Sequence, residues 1–213
     1  MRTRIKLCGM TRASDVAAAA ALGADAVGLV FADGSPRRLE PEQAARLRAV
    51  APAFLTVVAL FRDGAEDAIA AALEAARPHL LQFHGEEDEA ACLRWGLPYL
   101  RAVPMGSLDA GGVEPWLARY PSAAGFVFDS HAAGGAGGSG SGFDWSRLPA
   151  APTRPWLLAG GLTPGTVAEA VRRLRPWGVD VASGIESAPG IKDPDRMHRF
   201  VMEVRRADAS NAD

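Results

Sequence analysis

The sequence predicts a single-domain (β/α)8 barrel, an α/β fold in which eight parallel strands alternate with helices. Three observations predict it. Eight short apolar runs alternate with Ala-, Leu-, Arg- and Glu-rich stretches along the whole chain. The 213 residues, 48% of them hydrophobic, suffice for one large core and lie near the lower limit of about 200 residues for this fold. Two glycine-centred turns, at Gly160-Gly161 and Ser183-Gly184, each follow a strand near the C-terminus.

The predicted strands are apolar runs of four to eight residues that end before a turn or a helix signal. They cover residues 4–8, 26–31, 54–61, 79–83, 99–103, 124–129, 156–159 and 179–182. The predicted helices cover residues 14–22, 41–50, 65–77, 86–95, 112–120, 164–174 and 194–206. Pro41 and Pro164 suit a first helical turn, and Thr163 can cap the second of these helices. Because an open doubly wound sheet typically needs only about five or six strands, eight strands favour a closed barrel.

The sixth connection differs from the others. Residues 134–142 are almost entirely Gly, Ala and Ser, and the helical signal at 144–148 is short. We interpret this stretch as a mobile loop over the active face, because a linker would interrupt a crossover. We expect residues 1–213 to form one domain, with a frayed polar tail at 207–213.

Composition and net charge indicate which kinds of binding partner and cellular compartment to expect. A net charge of -2 and a pI of about 6.1 argue against nucleic acid. Two cysteines in a chain of this length do not make a disulfide framework, so a reducing compartment is expected. No signal-peptide pattern or run of about 20 apolar residues is present. We therefore expect a cytoplasmic protein that acts on a small molecule, without a membrane partner.

The best candidates for proton transfer end the first and sixth strands, at the face where barrel active sites lie. Cys8 shares an inward face with Lys6, whose ammonium would lower the thiol pKa from about 8.5 towards neutrality. Asp129 shares its face with Val127; a cap for the following loop is the alternative role for this carboxylate. Cys92 lies on a predicted helix and is interpreted as structural.

Other polar groups converge on the same face. Pro36 could direct either Arg37 or Arg38 into the barrel mouth, where an arginine would bind a substrate carboxylate. Gln82 and His84 share the inward face of the fourth strand, and a structural role for His84 is as well supported as a binding role.

The two glycine-centred turns predict a phosphate site, because bare backbone N–H groups can approach an anion closely. A helix that begins just after such a turn adds a favourable dipole. For one such turn, tight-turn geometry alone would be the simpler interpretation. Two consecutive turns, each after a strand, favour a binding site.

Taken together, these motifs resemble the phosphoribosylanthranilate isomerase family of tryptophan biosynthesis. The resemblance covers nearly the whole chain. Its motifs are KLCGMTR from Lys6, GADAVG from Gly23, SPR from Ser35, QFHG from Gln82, FDS from Phe128, GGSG from Gly137, FDW from Phe143, AGGL from Ala159, SGIE from Ser183 and PGIKD from Pro189.

The resemblance implies an Amadori rearrangement of N-(5′-phosphoribosyl)anthranilate to the 1-deoxyribulose phosphate, with no metal and no organic cofactor. By position, Cys8 corresponds to the general base and Asp129 to the general acid. Arg37 corresponds to the group that holds the anthranilate carboxylate. An acid that works at neutral pH requires a raised pKa, which burial at the barrel mouth could supply to Asp129.

The remaining substrate contacts carried over by position are His84 and a set of turn residues that would hold the phosphate. Those turn residues are Gly160, Gly161, Ser183 and Gly184, with help from Gly137 and Gly138 in the sixth loop. The sixth loop lacks the lysine that the family pattern has near Ser141.

Three alternatives are open at this point. A histidine-pathway isomerase would perform the same rearrangement on a larger substrate, but such enzymes use an aspartate where this chain has Cys8. A non-catalytic phosphate-binding barrel would not need Cys8 or Asp129. A thiol redox protein is less favoured, because Cys8 has no CxxC partner. The sequence leaves both a monomer and a homodimer open.

Overall fold

The computed structural model describes residues 2–131, 143–149 and 153–210. Within them, eight parallel strands form a closed barrel in chain order, which confirms the predicted (β/α)8 architecture. The strands are β1 (Arg4–Cys8), β2 (Ala26–Val30), β3 (Thr56–Phe61), β4 (Leu80–Phe83), β5 (Tyr99–Pro104), β6 (Gly125–Asp129), β7 (Trp156–Leu158) and β8 (Gly178–Val181). The barrel closes where β1 pairs with β8.

Helices cover the outside of the barrel. They are α1 (Ala13–Ala21), α2 (Pro41–Val50), α3 (Glu66–Ala76), α4 (Glu89–Leu93), α5 (Ala110–Ala118), α6 (Val167–Leu174) and α7 (Pro194–Ser210). Between β6 and β7 the described residues contain only a 3-10 turn, Trp145–Arg147. Helix α6 begins later than predicted, because Thr163 Oγ1 accepts a hydrogen bond from the Gly165 N–H inside a turn. Within the described ranges, no helix is long and apolar enough to cross a membrane.

The apolar core has two layers, because successive side chains of each strand point to opposite faces. Residues such as Ile5 and Phe128 are buried between the barrel and its helices. Leu100, Val127 and Leu157 pack together inside the barrel. Because side chains of a strand point alternately to its two faces, this inward set confirms the parity that directs Asp129 into the barrel mouth.

The C-terminus is more ordered than the predicted frayed tail at 207–213. Helix α7 runs to Ser210, and Ala207 is fully buried. Asp208 Oδ2 accepts from the Thr3 N–H at 2.8 Å, which ties the end of α7 to the start of β1. These long-range contacts are absent from any local sequence pattern. Residues 211–213 lie outside the described residues.

An antiparallel hairpin after β8 was not predicted. It consists of β9 (Glu186–Ala188) and β10 (Ile191–Lys192), joined through Pro189 and Gly190. Gly190 has φ of +79°, a conformation that favours glycine. The Pro-Gly dipeptide is the sequence signal for this turn.

Candidate active site

An open cavity lies at the carboxyl ends of the barrel strands. Most of the predicted site residues line it: Cys8, Arg37, His84, Asp129, Gly160, Gly161 and Ser183. Gly184 is not among the lining residues. Gly137 and Gly138, together with the predicted loop at 134–142, lie outside the described residues. The lining set includes thiol, carboxylate, imidazole and guanidinium groups from distant parts of the chain, so the site depends on the whole barrel.

Cys8 ends β1 and is 6% exposed. It pairs in register with Gly28 on β2. A Cβ atom at position 28 would lie 2.4 Å from Cys8 Sγ. Gly28 therefore provides the space that lets the thiol point into the cavity.

Below Cys8, a buried ion pair crosses the seam between β1 and β8. Lys6 Nζ donates to Asp180 Oδ2 at 2.8 Å, and the Lys6 side chain is only 2% exposed. The two residues are paired in the strand register. Burial opposes the lysine charge, but Asp180 and Cys8 outweigh it, so the pKa of Lys6 is raised and the ammonium persists.

The predicted lowering of the Cys8 pKa is wrong. Burial raises the pKa of the Cys8 thiol, and this effect exceeds the opposing attraction of Lys6. The charge of Lys6 is compensated by Asp180, whose own charge raises the pKa of the thiol further. A single charge beside a thiol predicts a thiolate, whereas a neutralised pair in a buried site does not.

The predicted rise in the Asp129 pKa is also wrong. Burial favours the neutral acid, but the imidazoles of His131 and His84 outweigh burial, and the pKa of Asp129 lies below its usual value. Asp129 Oδ2 lies 3.8 Å from His131 Nδ1, and Asp129 is 6% exposed. His131 follows the strand end by two residues, and nothing in the local pattern indicated that its ring turns back into the site.

His84 lies beside these groups and is buried, with Gln82 and His131 in direct contact with its ring. Its ring stacks on that of His131, with centroids 5.1 Å apart. Burial lowers the pKa of His84 to about 3, so the ring is neutral at neutral pH. The prediction that Gln82 and His84 face inward is confirmed, since both line the cavity.

The structure distinguishes the two neighbouring arginines. Arg37 is buried at the cavity, where Nε and Nη2 donate to the Glu186 carboxylate at 2.8 and 2.7 Å. Gly9 makes room for Arg37, because a Cβ atom at position 9 would lie 2.3 Å from Arg37 Cδ. Arg38 points to solvent and pairs with Asp33 at 3.0 Å. Arg37 is therefore the arginine directed into the mouth.

Glu186 and Lys192 connect the hairpin to the cavity. Lys192 Nζ donates to Glu186 Oε1 at 2.7 Å and to the Ala182 carbonyl at 3.0 Å. Burial opposes the charge on Glu186, but Arg37 and Lys192 outweigh it and lower the pKa of Glu186. The carboxylate thus holds Arg37 in place by direct hydrogen bonds.

Several lining or supporting residues were not assigned a role from the sequence. They are Arg62, His131, Asp180, Glu186 and Lys192. One signal was available: only two of the 23 basic residues are lysine, and both are buried at this site. Lysine is almost never fully buried unless it is paired, so each buried lysine marks a carboxylate partner.

The two glycine-centred turns lie side by side and contribute to the cavity lining. Gly160 and Gly161 have φ of +78° and +69°, and Ser183 begins a 3-10 turn. Among the described residues, the N–H groups of Gly160, Gly161 and Ser183 donate to no acceptor. A Cβ atom at Gly184 would lie 1.9 Å from the Leu162 carbonyl oxygen, so Gly184 allows the two turns to touch. The free donors can bind an anion.

The family model and the similar proteins of known function identify the same family. The family model described as N-(5'phosphoribosyl)anthranilate (PRA) isomerase matches residues 5–203. An N-(5'-phosphoribosyl)anthranilate isomerase of Xanthomonas oryzae pv. oryzae is 55% identical over 212 residues, covering 97% of this chain and 95% of that protein. The enzyme of that name from Stenotrophomonas maltophilia is 55% identical, with 98% and 96% coverage.

Solved structures agree with the sequence comparison. The phosphoribosyl anthranilate isomerase of Thermus thermophilus superposes with a TM-score of 0.83 at 34% identity, covering 96% of this chain and 99% of that one. A second isomerase structure contains reduced 1-(o-carboxyphenylamino)-1-deoxyribulose 5-phosphate. It superposes with a TM-score of 0.79 at 29% identity, with 96% and 99% coverage.

The protonation state of Cys8 can be tested by alkylation in a Cys92→Ala background, where Cys8 is the only thiol. Because burial raises the Cys8 pKa, the thiolate forms only above the usual range. We expect the iodoacetamide rate to rise with a midpoint above about 8.5. Mass spectrometry at each pH measures it, with the Cys8→Ala, Cys92→Ala double variant as the blank. A midpoint below about 8.5 would mean that Lys6 outweighs burial.

Proposed function

The chain belongs to the N-(5'-phosphoribosyl)anthranilate isomerase family and is an isomerase of tryptophan biosynthesis; we propose that Cys8 is its general base and Asp129 its general acid. The observation that carries the proposal is their position. Both end barrel strands and line the same cavity, which Gly160, Gly161 and Ser183 of the two glycine-centred turns also line. Barrel enzymes place their catalytic groups at this face.

In the proposed reaction, the Asp129 carboxyl group protonates the furanose ring oxygen of N-(5′-phosphoribosyl)anthranilate. The C1′–O bond breaks as the anthranilate nitrogen forms a protonated Schiff base with C1′. The Cys8 thiolate then removes the proton from C2′ to give an enolamine. The enolamine gains a proton at C1′ and loses the proton of its C2′ hydroxyl group, which gives the ketone. Each positioned acid or base contributes on the order of 10²–10⁴ in rate.

The resting protonation states are the reverse of those the reaction requires. The pKa shifts favour an Asp129 carboxylate and a Cys8 thiol in the free protein. In the active form this single proton is on the Asp129 carboxyl group instead of on Cys8, so Cys8 is a thiolate. Since both forms hold one proton, their ratio does not change with pH between the two pKa values. We therefore propose that the enzyme reacts through this minor form over a broad neutral range.

The substrate has an anion at each end, and the cavity lining includes a donor group for each anion. We propose that the unpaired N–H groups of Gly160, Gly161 and Ser183 bind the phosphate, with Gly184 allowing the close approach of the two turns. Arg37 would bind the anthranilate carboxylate with Nη1, since Glu186 occupies Nε and Nη2. Binding of the substrate at both its phosphate and its carboxylate would fix the orientation of the sugar between Cys8 and Asp129.

His84, Gly137 and Gly138 remain proposed substrate contacts from the family resemblance; His84 lines the cavity. We propose a cytoplasmic location because both cysteines are free thiols and a catalytic thiol must stay reduced. Either a monomer or a homodimer can act, because one chain supplies every described lining residue.

Substitution of the proposed acid or base should abolish most turnover. We expect Cys8→Ala and Asp129→Asn each to lower kcat by about 10²–10⁴, because each removes one proton-transfer group. The assay is the loss of fluorescence of freshly made phosphoribosylanthranilate, with far-UV circular dichroism to check folding. Cys92→Ala and Asp195→Asn are matched controls away from the cavity, and we expect them to keep wild-type kcat. A wild-type rate in either cavity variant would remove that residue from the mechanism.

The two arginines provide a second test. Arg37→Ala should raise KM by about 10- to 100-fold, because it removes a charged hydrogen bond to the substrate carboxylate. Arg38→Ala is the matched control and should leave KM unchanged, since Arg38 faces solvent. Inhibition by ribose 5-phosphate, which has no aromatic acid, should be the same in both variants. A raised KM in Arg38→Ala alone would transfer the role to Arg38.

A further inference from the structure

Three side chains at or beside the cavity bring together atoms that could bind a metal ion. His84, Asp129 and His131 each offer one ligand atom, and these atoms all lie within 4.8 Å of one another. All three residues are buried. They come from the ends of two strands, β4 and β6, so the barrel itself fixes their relative positions.

His131 gives an independent indication of a ligand. It is 4% exposed, and its Nδ1 atom is buried with no hydrogen-bond partner among the described residues. The same atom lies 3.8 Å from Asp129 Oδ2. Donors bound to one tetrahedral Zn²⁺ at about 2.0–2.2 Å would be separated by roughly 3.3–3.6 Å. Small side-chain rotations would bring this pair to that separation.

Gln82 orients the third donor. Its amide nitrogen lies 2.5 Å from His84 Nε2, while Gln82 Oε1 is buried without a partner in the described part of the chain. Turning the amide by 180° places Oε1 against Nε2, so that Oε1 accepts a hydrogen bond from His84 Nε2–H. His84 Nδ1 is then left as a lone-pair donor. Metal-bound histidines commonly have their second ring nitrogen fixed in this way.

We propose that His84, Asp129 and His131 form an inhibitory binding site for a divalent transition metal ion of the Zn²⁺ type. Two imidazoles and one carboxylate suit Zn²⁺ or Co²⁺, whereas Mg²⁺ prefers oxygen ligands alone. Three protein ligands leave a fourth position for water. A bound ion takes the Asp129 carboxylate, so the general acid can no longer carry its proton. Only this inhibition rests on the proposed function; metal binding itself does not.

Cobalt absorption tests binding without reference to activity. Chelator-treated protein is titrated with CoCl₂, and visible d–d bands report the bound ion. We expect one equivalent to bind to the wild-type chain. Cys8 is the competing ligand in the cavity, and a thiolate would add intense near-ultraviolet charge-transfer absorption. We expect that absorption to be absent and the visible bands to persist in Cys8→Ser.

Two ligand variants make the test specific. His131→Gln and Asp129→Asn should each weaken cobalt binding by at least about tenfold, since each removes a donor. His198→Gln is the matched histidine control on helix α7 and should bind cobalt as the wild type does. Absent cobalt binding, loss of binding in Cys8→Ser, or undiminished binding in either ligand variant would each overturn the proposed site.

Isomerase assays test the inhibition. ZnCl₂ should inhibit the wild-type chain and His198→Gln, and raising substrate should relieve the inhibition. His131→Gln should need at least about tenfold more Zn²⁺ for the same inhibition, and millimolar MgCl₂ should have no effect. Zinc-saturated protein that keeps full activity would overturn the inhibition. The metal-free activity of Asp129→Asn separately reports whether Asp129 is the general acid.

Discussion

The pairing of β1 with β8 is the constraint on which the rest of the site depends. It closes the barrel and places Lys6 beside Asp180, with Nζ 2.8 Å from Oδ2 in a buried environment. Either charge alone would cost several kcal/mol to bury, so the polar interior requires the closed barrel. The same register places Cys8 above this pair and beside the turn that follows β8. Closure of the barrel and assembly of the site thus depend on the same strand pairing.

Two buried carboxylates, Asp180 and Glu186, bind the cations around the cavity. Glu186 is shared by Arg37 and Lys192, just as Asp180 compensates Lys6. Arg37 and the two lysines are held by these carboxylates, while the backbone N–H groups of the glycine-centred turns remain free for an anion. Such preorganised donors lower the cost of reorientation during the reaction. Burial explains why Cys8 rests as a thiol: its effect on the pKa exceeds the attraction of Lys6, whose charge is compensated by Asp180.

The sequence predicts the barrel, the inward parity of Cys8 and Asp129, and the two turns, because strand alternation and turn chemistry are local. The partners of these residues are distant: Lys6 contacts Asp180 across 174 residues, and Arg37 contacts Glu186 across 149. Both pKa directions depended on such partners and on burial, so local reasoning gave the wrong sign. The family resemblance identified the reaction but could not show that His131 turns back towards Asp129.

In the proposed complex, Cys8 and Asp129 flank a sugar that is held by its phosphate at one end and its aromatic carboxylate at the other. A crystal structure of this chain with reduced 1-(o-carboxyphenylamino)-1-deoxyribulose 5-phosphate, the compound bound in a related isomerase, tests it most directly. We expect the phosphate to lie on the N–H groups of Gly160, Gly161 and Ser183, and the carboxylate to lie on Arg37. An analogue bound in the opposite orientation, or with Cys8 Sγ out of reach of the sugar, would contradict it.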